Sequence, residues 1–468
     1  MRSTLQHLSR RLTYFGLIGV GLVSLLWLSS CATMPVADST LEPRRLGREF
    51  PTYTASPEKE LTPVPFTEPT GQLTLRAAFA AALLNSPALA AFSWEVRARE
   101  AGAIQAGRLP NPEFSLEVEE FGGGGDRTAF DGSDTTVRIG QLFELGDKRA
   151  KRQRVATLER DLAAWDYETH RLDVFTTVVK AFVAVLATQR QVTLAEEQVR
   201  VAEEAIQTIA GQVKVGAVSP AEESRARVAL ARSQVDLALR KREQVAARLR
   251  LAATWGSSTV TFSVVTGDLE SVIPPPSADD LLPHLSHNPD VARWDVEKKH
   301  RRAVLELEQA RQIPDVEMDA GVRYINADKT AALVFETNVP LMLFDKNRGR
   351  IQEASARLAK VNAQQRAAEV HSQAALTIAH QALFSSFEYA TALRDTIIPQ
   401  ARAAFEEVNQ AYRRGGLRYL DVLDARRTLF ELHGQYVEAL ANYHTAAADM
   451  ERLIAKPLDA LSHIDERE

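Results

Sequence analysis

The sequence predicts a mainly α-helical protein with a small β part, duplicated within one chain and unable to close its sheet alone. Three observations carry this expectation. Between Asp147 and Lys214 there is no proline, and Gly211 is the one glycine. Two stretches, at about 113–143 and about 315–340, alternate apolar and polar residues with period 2. The order of helices, breaks and alternating stretches recurs after about 200 residues, the signature of an internal repeat.

The long helical stretch carries apolar residues at three- and four-residue steps. Val155, Leu158, Leu162 and Trp165 lead to Leu172, Phe175, Val179, Phe182 and Leu186. Val192, Ala195, Val199, Ala202, Ile206, Ile209 and Val213 continue the seam, which asks for partner helices along its whole length. At ~1.5 Å per residue this is a rod of roughly 100 Å, too long for one compact domain.

The chain has 468 residues, 25% charged and 7% aromatic, a balance that suits long helices better than a sandwich. Its formal net charge of -5 gives no support for nucleic-acid binding. The basic run Lys148-Arg149-Ala150-Lys151-Arg152 lies inside the heptads and reads as a solvated helix face. Residues 1–30 read as a signal peptide: Arg2, Arg10 and Arg11 precede an apolar core from Tyr14 to Leu28. Cys31, after Leu28-Ser29-Ser30, resembles the lipidated cysteine of a bacterial lipoprotein and is the only cysteine, so no intrachain disulfide can form. Ala32 in place of aspartate favours the outer membrane. Beyond Leu28 no apolar run approaches the length of a membrane helix, so any crossing must use strands.

Residues 31–71 read as a lipidated, extended segment without a core of its own. The first repeat is 72–276. A short helix at Leu73 to Leu84 is broken by Asn85-Ser86-Pro87, and the next helix runs to the stop at Pro110-Asn111-Pro112. Phe114, Leu116 and Val118 then share one strand face and Glu113, Ser115, Glu117 and Glu119 the other. After a glycine-rich loop, Val137 and Ile139 alternate with Thr136, Arg138 and Gly140. The rod follows and turns at Gly216 to Pro220 into a helix reaching Thr254. The second repeat, 277–456, answers each part: Asn288-Pro289, the stop at Ile313-Pro314-Asp315, and strands carrying Glu317, Asp319 and Arg323. A second uninterrupted helix from about Asn347 to Arg414 follows, then a break at Gly415-Gly416 and a last helix to Ala455. Residues 457–468 are a tail.

Strands of about nine residues span about 30 Å, enough for a bilayer when tilted. Four strands cannot close a barrel, and open edges are not tolerated in lipid. Two chains would give eight strands; three would give twelve and leave a lumen.

Over about residues 70–456 the chain resembles the TolC-like outer-membrane efflux family. Pro110-Asn111-Pro112-Glu113, Glu144-Leu145-Gly146-Asp147-Lys148-Arg149 and Gly415 to Ala425 carry the resemblance within two matched halves. The first two look most like the cobalt–zinc–cadmium resistance branch. The resemblance implies a homotrimer in outer-membrane lipid, with a shared twelve-stranded transmembrane barrel above a long α-helical barrel. It also implies a periplasmic adaptor and an inner-membrane transporter of the resistance–nodulation–division class as partners. At the last turn it implies a pore constriction by Tyr412, Asp421 and Asp424, with Arg418 beside the position, Leu417 here, where some members have a gating arginine. Asp421 and Asp424 stand three apart on one helical face and would form acidic rings in a trimer; carboxylates near a helix N-terminus are also stabilised without any gate.

Glu117, Glu119, Glu317 and Asp319 are expected to face the lumen. His284 and His287 lack a third metal ligand nearby, so no metal site and no cofactor are expected. No phosphate loop or nucleophile–base motif points to an enzyme. The expected function is a passive exit duct of a tripartite efflux pump, with heavy-metal cations the favoured cargo. A drug-efflux or type I secretion duct shares this architecture. A lipid-anchored periplasmic coiled-coil adaptor or scaffold is the alternative from another class, although it would not need two bilayer-length hairpins.

Overall fold

The computed structural model describes residues 44–55 and 67–458. The signal peptide, Cys31 and the C-terminal tail beyond Leu458 lie outside the described residues.

The first repeat opens with β1 (Gly71–Thr74), α1 (Leu75–Asn85) and α2 (Pro87–Ala106). The hairpin β2 (Glu113–Glu119) and β3 (Asp134–Phe143) leads into α3 (Lys148–Lys214), then α4 (Pro220–Ala253) and β4 (Phe262–Thr266). Short helical turns over Ala278–Leu281 and Leu282–His287 open the second repeat. It continues with α5 (Pro289–Ala310), β5 (Val316–Ile325), β6 (Thr330–Asn338), α6 (Arg348–Ala392), α7 (Ile398–Arg413) and α8 (Tyr419–Ile454).

Local chemistry sets these boundaries. Ser86 Oγ accepts from Leu89 N at 3.4 Å and Asn288 Oδ1 from Asp290 N at 2.7 Å, each followed by a proline in the first helical turn. Both rods start from a left-handed residue, Asp147 at φ 56° and Asn347 at φ 55°. Asp and Asn are the non-glycine residues that tolerate this conformation best. At the far end Gly216 and Gly415 take φ +74° and +82°, where a side chain would be strained.

α3 runs unbroken for 67 residues, and none of the sixteen predicted seam residues is exposed. Leu172, Phe175, Val178, Phe182 and Val185 pack with Phe79, Ala82, Leu251, Trp255 and Phe262 into the largest core cluster. Each large side chain buried there contributes roughly 1.5–3 kcal/mol. One window of α3 is apolar enough to cross a membrane by composition, which the sequence expectation did not allow for. The apolar residues of the helix's middle are instead taken up by this core.

Three expectations need correction. The helix expected from Leu73 begins at Leu75, because Gly71–Thr74 pairs in parallel with β4, a strand about 190 residues away. The second rod is not uninterrupted: between α6 and α7, Leu393–Ile397 form a π turn. Pro399 explains it, since its ring has no N–H for the Asp395 carbonyl and would clash with it in a regular helix. The basic run is not simply solvated. Lys148 is buried and Arg152 is partly covered, both held by carboxylates.

The segment 44–55 also belongs to the main core. Leu46 is buried within it, and its N–H donates to Ala455 O at 3.2 Å. Beneath it Arg171 makes a two-point ion pair with Glu168, at 2.7 and 2.8 Å, and donates to Leu46 O at 3.0 Å. Glu168 in turn accepts from Arg44 N at 2.7 Å. The two repeats are tied by Arg452 of α8, which holds Asp173 of α3 at 2.5 Å and Asp290 of α5 at 2.8 Å.

Candidate functional site

The two hairpins join side by side into one antiparallel sheet of order β2-β3-β5-β6. Its register separates two chemically unlike faces. Phe114↔Ile139↔Ala320↔Phe335 and Leu116↔Val137↔Val322↔Leu333 form rows on one face. Phe114, Leu333 and Phe335 are 69%, 75% and 77% exposed, which in water would be an aggregation surface and in lipid is a matched one.

The opposite face carries Glu117, Glu119, Thr136, Arg138, Asp319, Arg323 and Glu336, with Glu317 in the same alternation. Arg138 pairs with both Glu117 and Glu336, and Arg323 lies 3.4 Å from Glu119 and 3.0 Å from Thr136 Oγ1. Glu317 and Asp319 make no ion pair among the described residues. Glycines make room for these side chains: a Cβ at Gly140 would stand 2.4 Å from Asp319 Oδ1, and one at Gly321 would meet Arg138. Sequence reasoning missed Glu336, although its alternation against Leu333 and Phe335 was a usable signal. It also missed that two arginines neutralise part of the acidic row.

Two of the three motifs that carried the family resemblance, Pro110 to Glu113 and Glu144 to Arg149, lie below the sheet. Lys148 Nζ lies 2.8 Å from Asp315 Oδ1 and also donates to Ile313 O, while Leu145 N donates to the same carboxylate at 2.9 Å. Arg152 pairs with Glu144 and donates to Ala106 O at 2.9 Å. Thus the start of the first rod is fastened to the stop before each hairpin.

At the opposite end, Ile209, Ala226, Tyr419 and Val422 form a small buried cluster with Phe405 and Tyr412 packed against it. Tyr412 is half-buried and donates from its hydroxyl to Gln212 Oε1 at 2.8 Å. The Asp421 carboxylate accepts the backbone N–H of Arg418 at 3.0 Å, as a third-position capping acid does. Asp424, one turn on, is exposed, as are Leu417 and the Arg418 side chain. The two aspartates therefore differ in their surroundings. Burial pushes the Tyr419 phenol above its ordinary pKa, and it stays neutral. Above this cluster a groove of about 1050 Å³ runs between α3, α4 and α8, lined among others by Gln191, Arg232, Tyr419, Arg426 and Phe430.

His284 and His287 have ring centroids 6.3 Å apart, but Lys456 Nζ is 3.1 Å from His284 Nδ1. Burial first, then that ammonium, lowers the His284 pKa, and a neighbouring cation opposes a bound metal ion.

A sheet with one lipid-compatible face and one polar face, set on paired helical rods, defines a subunit of a membrane-spanning channel. The chain belongs to the outer membrane efflux protein family, whose model matches residues 79–257 and 284–456. Members are trimers in which three such sheets close a twelve-stranded barrel, and they work with adaptor and transporter proteins in tripartite pumps. The protein is thus an outer-membrane channel that extends into the periplasm.

The cobalt-zinc-cadmium resistance protein CzcC of Cupriavidus metallidurans is 30% identical over 85% of this chain and 93% of its own length. The nickel and cobalt resistance protein CnrC of the same organism is 28% identical over 60% of this chain and 66% of its own. Among solved structures, CusC, studied for the conformational changes that accompany folding and transmembrane channel formation, superposes with a TM-score of 0.70 at 15% identity, covering 86% of this chain and 99% of that one.

Proposed function

We propose that this protein is the exit duct through which a metal-resistance pump discharges heavy-metal cations across the outer membrane. The observation that carries the duct is the two-faced sheet, with its apolar rows exposed and its polar row lined by Glu117, Glu119, Glu317, Asp319 and Glu336. The two metal-resistance relatives support the cargo. Conduction is passive, since the sheet offers fixed charge and no energy source.

In a trimer the polar row lines the lumen. Glu317 and Asp319, left unpaired, give it a net negative character that favours cations, while Arg138 and Arg323 keep it from trapping them. At the periplasmic end Asp424 supplies the exposed acidic ring of the gate. Asp421 holds the helix start that presents it, and Tyr412 fastens the turn to α3 through Gln212. An inner-membrane transporter of the resistance–nodulation–division class and a periplasmic adaptor deliver the cargo. Lipidation of Cys31 would add a second hold on the membrane.

Two measurements test this reading. Purified trimers should form cation-preferring pores in planar bilayers. A strain lacking the gene should become more sensitive to zinc, cobalt or cadmium and be unchanged toward hydrophobic drugs; the opposite pattern would reassign the cargo.

A further inference from the structure

The two edge strands of the sheet, β2 and β6, each leave their outer edge unpaired among the described residues. From the internal repeat we infer the register in which they pair between copies: Thr337 opposite Val118, Val339 opposite Leu116, and Leu341 opposite Phe114 of the neighbouring copy. The same pairing turns residues 339–343, irregular in the single chain, into a continuation of β6. The inference rests on the shared-barrel architecture and specifies it.

Two offsets carry it. The rods begin at Lys148 and Arg348, 200 residues apart. Carried back into the strands, this spacing sets Val137, Ile139 and Phe143 against Thr337, Val339 and Leu343, outward-facing in each case. The helices before the hairpins end at Ala106 and Ala310, 204 apart, and the same spacing matches Pro110 with Pro314 and Glu113 with Glu317. Within the chain the first hairpin meets the second through β3 and β5, as Val137↔Val322, Ile139↔Ala320 and Gln141↔Met318. Moving the β3 partner forward by 200 and the β5 partner back by 204 gives the three pairs above.

Backbone hydrogen bonding supports the result independently. Asn326 N donates to Ser133 O at 3.0 Å, which marks these two as a hydrogen-bonded pair of the β3–β5 ladder. Bonded and non-bonded pairs alternate in an antiparallel ladder. Odd residues of β3 therefore bond to β5 and even ones to β2. In β6, even residues bond to β5, leaving Thr337, Val339 and Leu341 free. In β2, Phe114, Leu116 and Val118 are free. The inferred register sets free groups against free groups. It also places Pro340, which has no N–H, on the side facing β5, where pairing has already ended at Asn338.

Side chains agree. Leu341 and Leu343 are 79% and 67% exposed, and Leu341 continues the apolar face against Phe114. On the polar face Asn338 falls opposite Glu117, and Glu336 opposite Glu119, a like-charge pair that Arg138, paired with Glu336, and Arg323, beside Glu119, must offset. The two hairpins of the chain themselves differ by one two-residue step: Glu113 pairs with Gly140, whereas Glu317 pairs with Asn338, not Pro340. The experiment must therefore separate neighbouring registers.

Asn338 and Glu117 would be a non-bonded pair with Cα atoms about 4.5 Å apart, within the ~4.4–6.8 Å range of disulfides. The test is oxidation of detergent-purified trimers carrying Asn338→Cys with Glu117→Cys, compared with Asn338→Cys combined with Ser115→Cys or Glu119→Cys. The first pair should give covalent dimers and trimers on a non-reducing denaturing gel at least tenfold above the other two and above each single variant, which retains Cys31. A second pair in the same register, Glu336→Cys with Glu119→Cys, should behave likewise and covers a folding failure of the first. Dominance of the Ser115 or Glu119 combination with Asn338→Cys would overturn the register. So would trimers by light scattering without any specific cross-link. Absence of trimers by light scattering would overturn the shared barrel itself.

Discussion

Lys148 Nζ and Asp315 Oδ1 lie 2.8 Å apart, joining the first residue of α3 to the last residue before β5. The contact crosses from one repeat to the other at the level where sheet becomes rod. The lysine is buried, so removing its partner leaves an ammonium with only the Ile313 carbonyl to satisfy it. Asp315→Ala should lower stability by about 2 kcal/mol, the worth of a charge-assisted hydrogen bond in a covered position. Lys148→Met should cost less, because it removes the buried charge as well. Urea midpoints of the two single variants and the double variant would give the coupling; additive effects would show that the contact does not fasten the junction.

The two aspartates of the last turn should separate experimentally. Asp421 accepts the Arg418 N–H, so Asp421→Ala should destabilise the start of α8 by about 1 kcal/mol. Asp424 is exposed, and Asp424→Ala should leave stability unchanged while weakening cation preference. Reversal potentials across a salt gradient, read beside thermal melts, distinguish the outcomes. If Asp424→Ala leaves the reversal potential unmoved, the exposed ring has no part in selectivity.

Arg138 is clamped between Glu117 and Glu336 on the polar face. Arg138→Ala would free two carboxylates per chain and raise the negative charge facing the lumen. Cation preference should therefore increase, with the shift strongest at low salt, where screening is weakest. An unchanged or reversed preference would argue that this face does not line the conducting path.

Much of this was legible in the sequence because it was written in periods and punctuation. The 3–4 seam of α3, the alternation around Phe114 and Met318, and the proline after Ser86 and Asn288 are local signals that tertiary contacts reinforce. What could not be read was set by partners far away in the chain. Gly71–Thr74 becomes a strand because of Phe262–Thr266, and Arg44–Ala55 orders because Glu168 and Arg171 receive it from within a helix otherwise read by its apolar seam. Asp421 and Asp424 look alike as a pair three apart; only the bond to Arg418 N separates a capping acid from a free one. Pro399 was visible, but its effect, a π turn in place of a break, depends on Leu393 and Ile398 staying buried on either side.

Acid should weaken the helical region through its buried imidazoles. His300 lies between α5 and α3, with Glu159 of α3 at 3.5 Å and Glu297 and Arg301 on its own helix. Burial is the largest influence and lowers its pKa below the ordinary 6.5, as it does for His444, whose Nε2 meets Leu269 O at 2.9 Å near Asp268. Because the folded values are depressed, the unfolded chain takes up protons first as pH falls. The stability contributed by neutral burial is complete above about pH 6.5 and is lost below it, with a slope of at most about 1.4 kcal/mol per pH unit for each histidine. Urea midpoints should therefore fall between pH 7 and pH 5. His300→Gln with His444→Gln should flatten that dependence while leaving the value at pH 7.5 lower or equal. An equally steep fall in the double variant would show that these two imidazoles are not the source of the acid sensitivity.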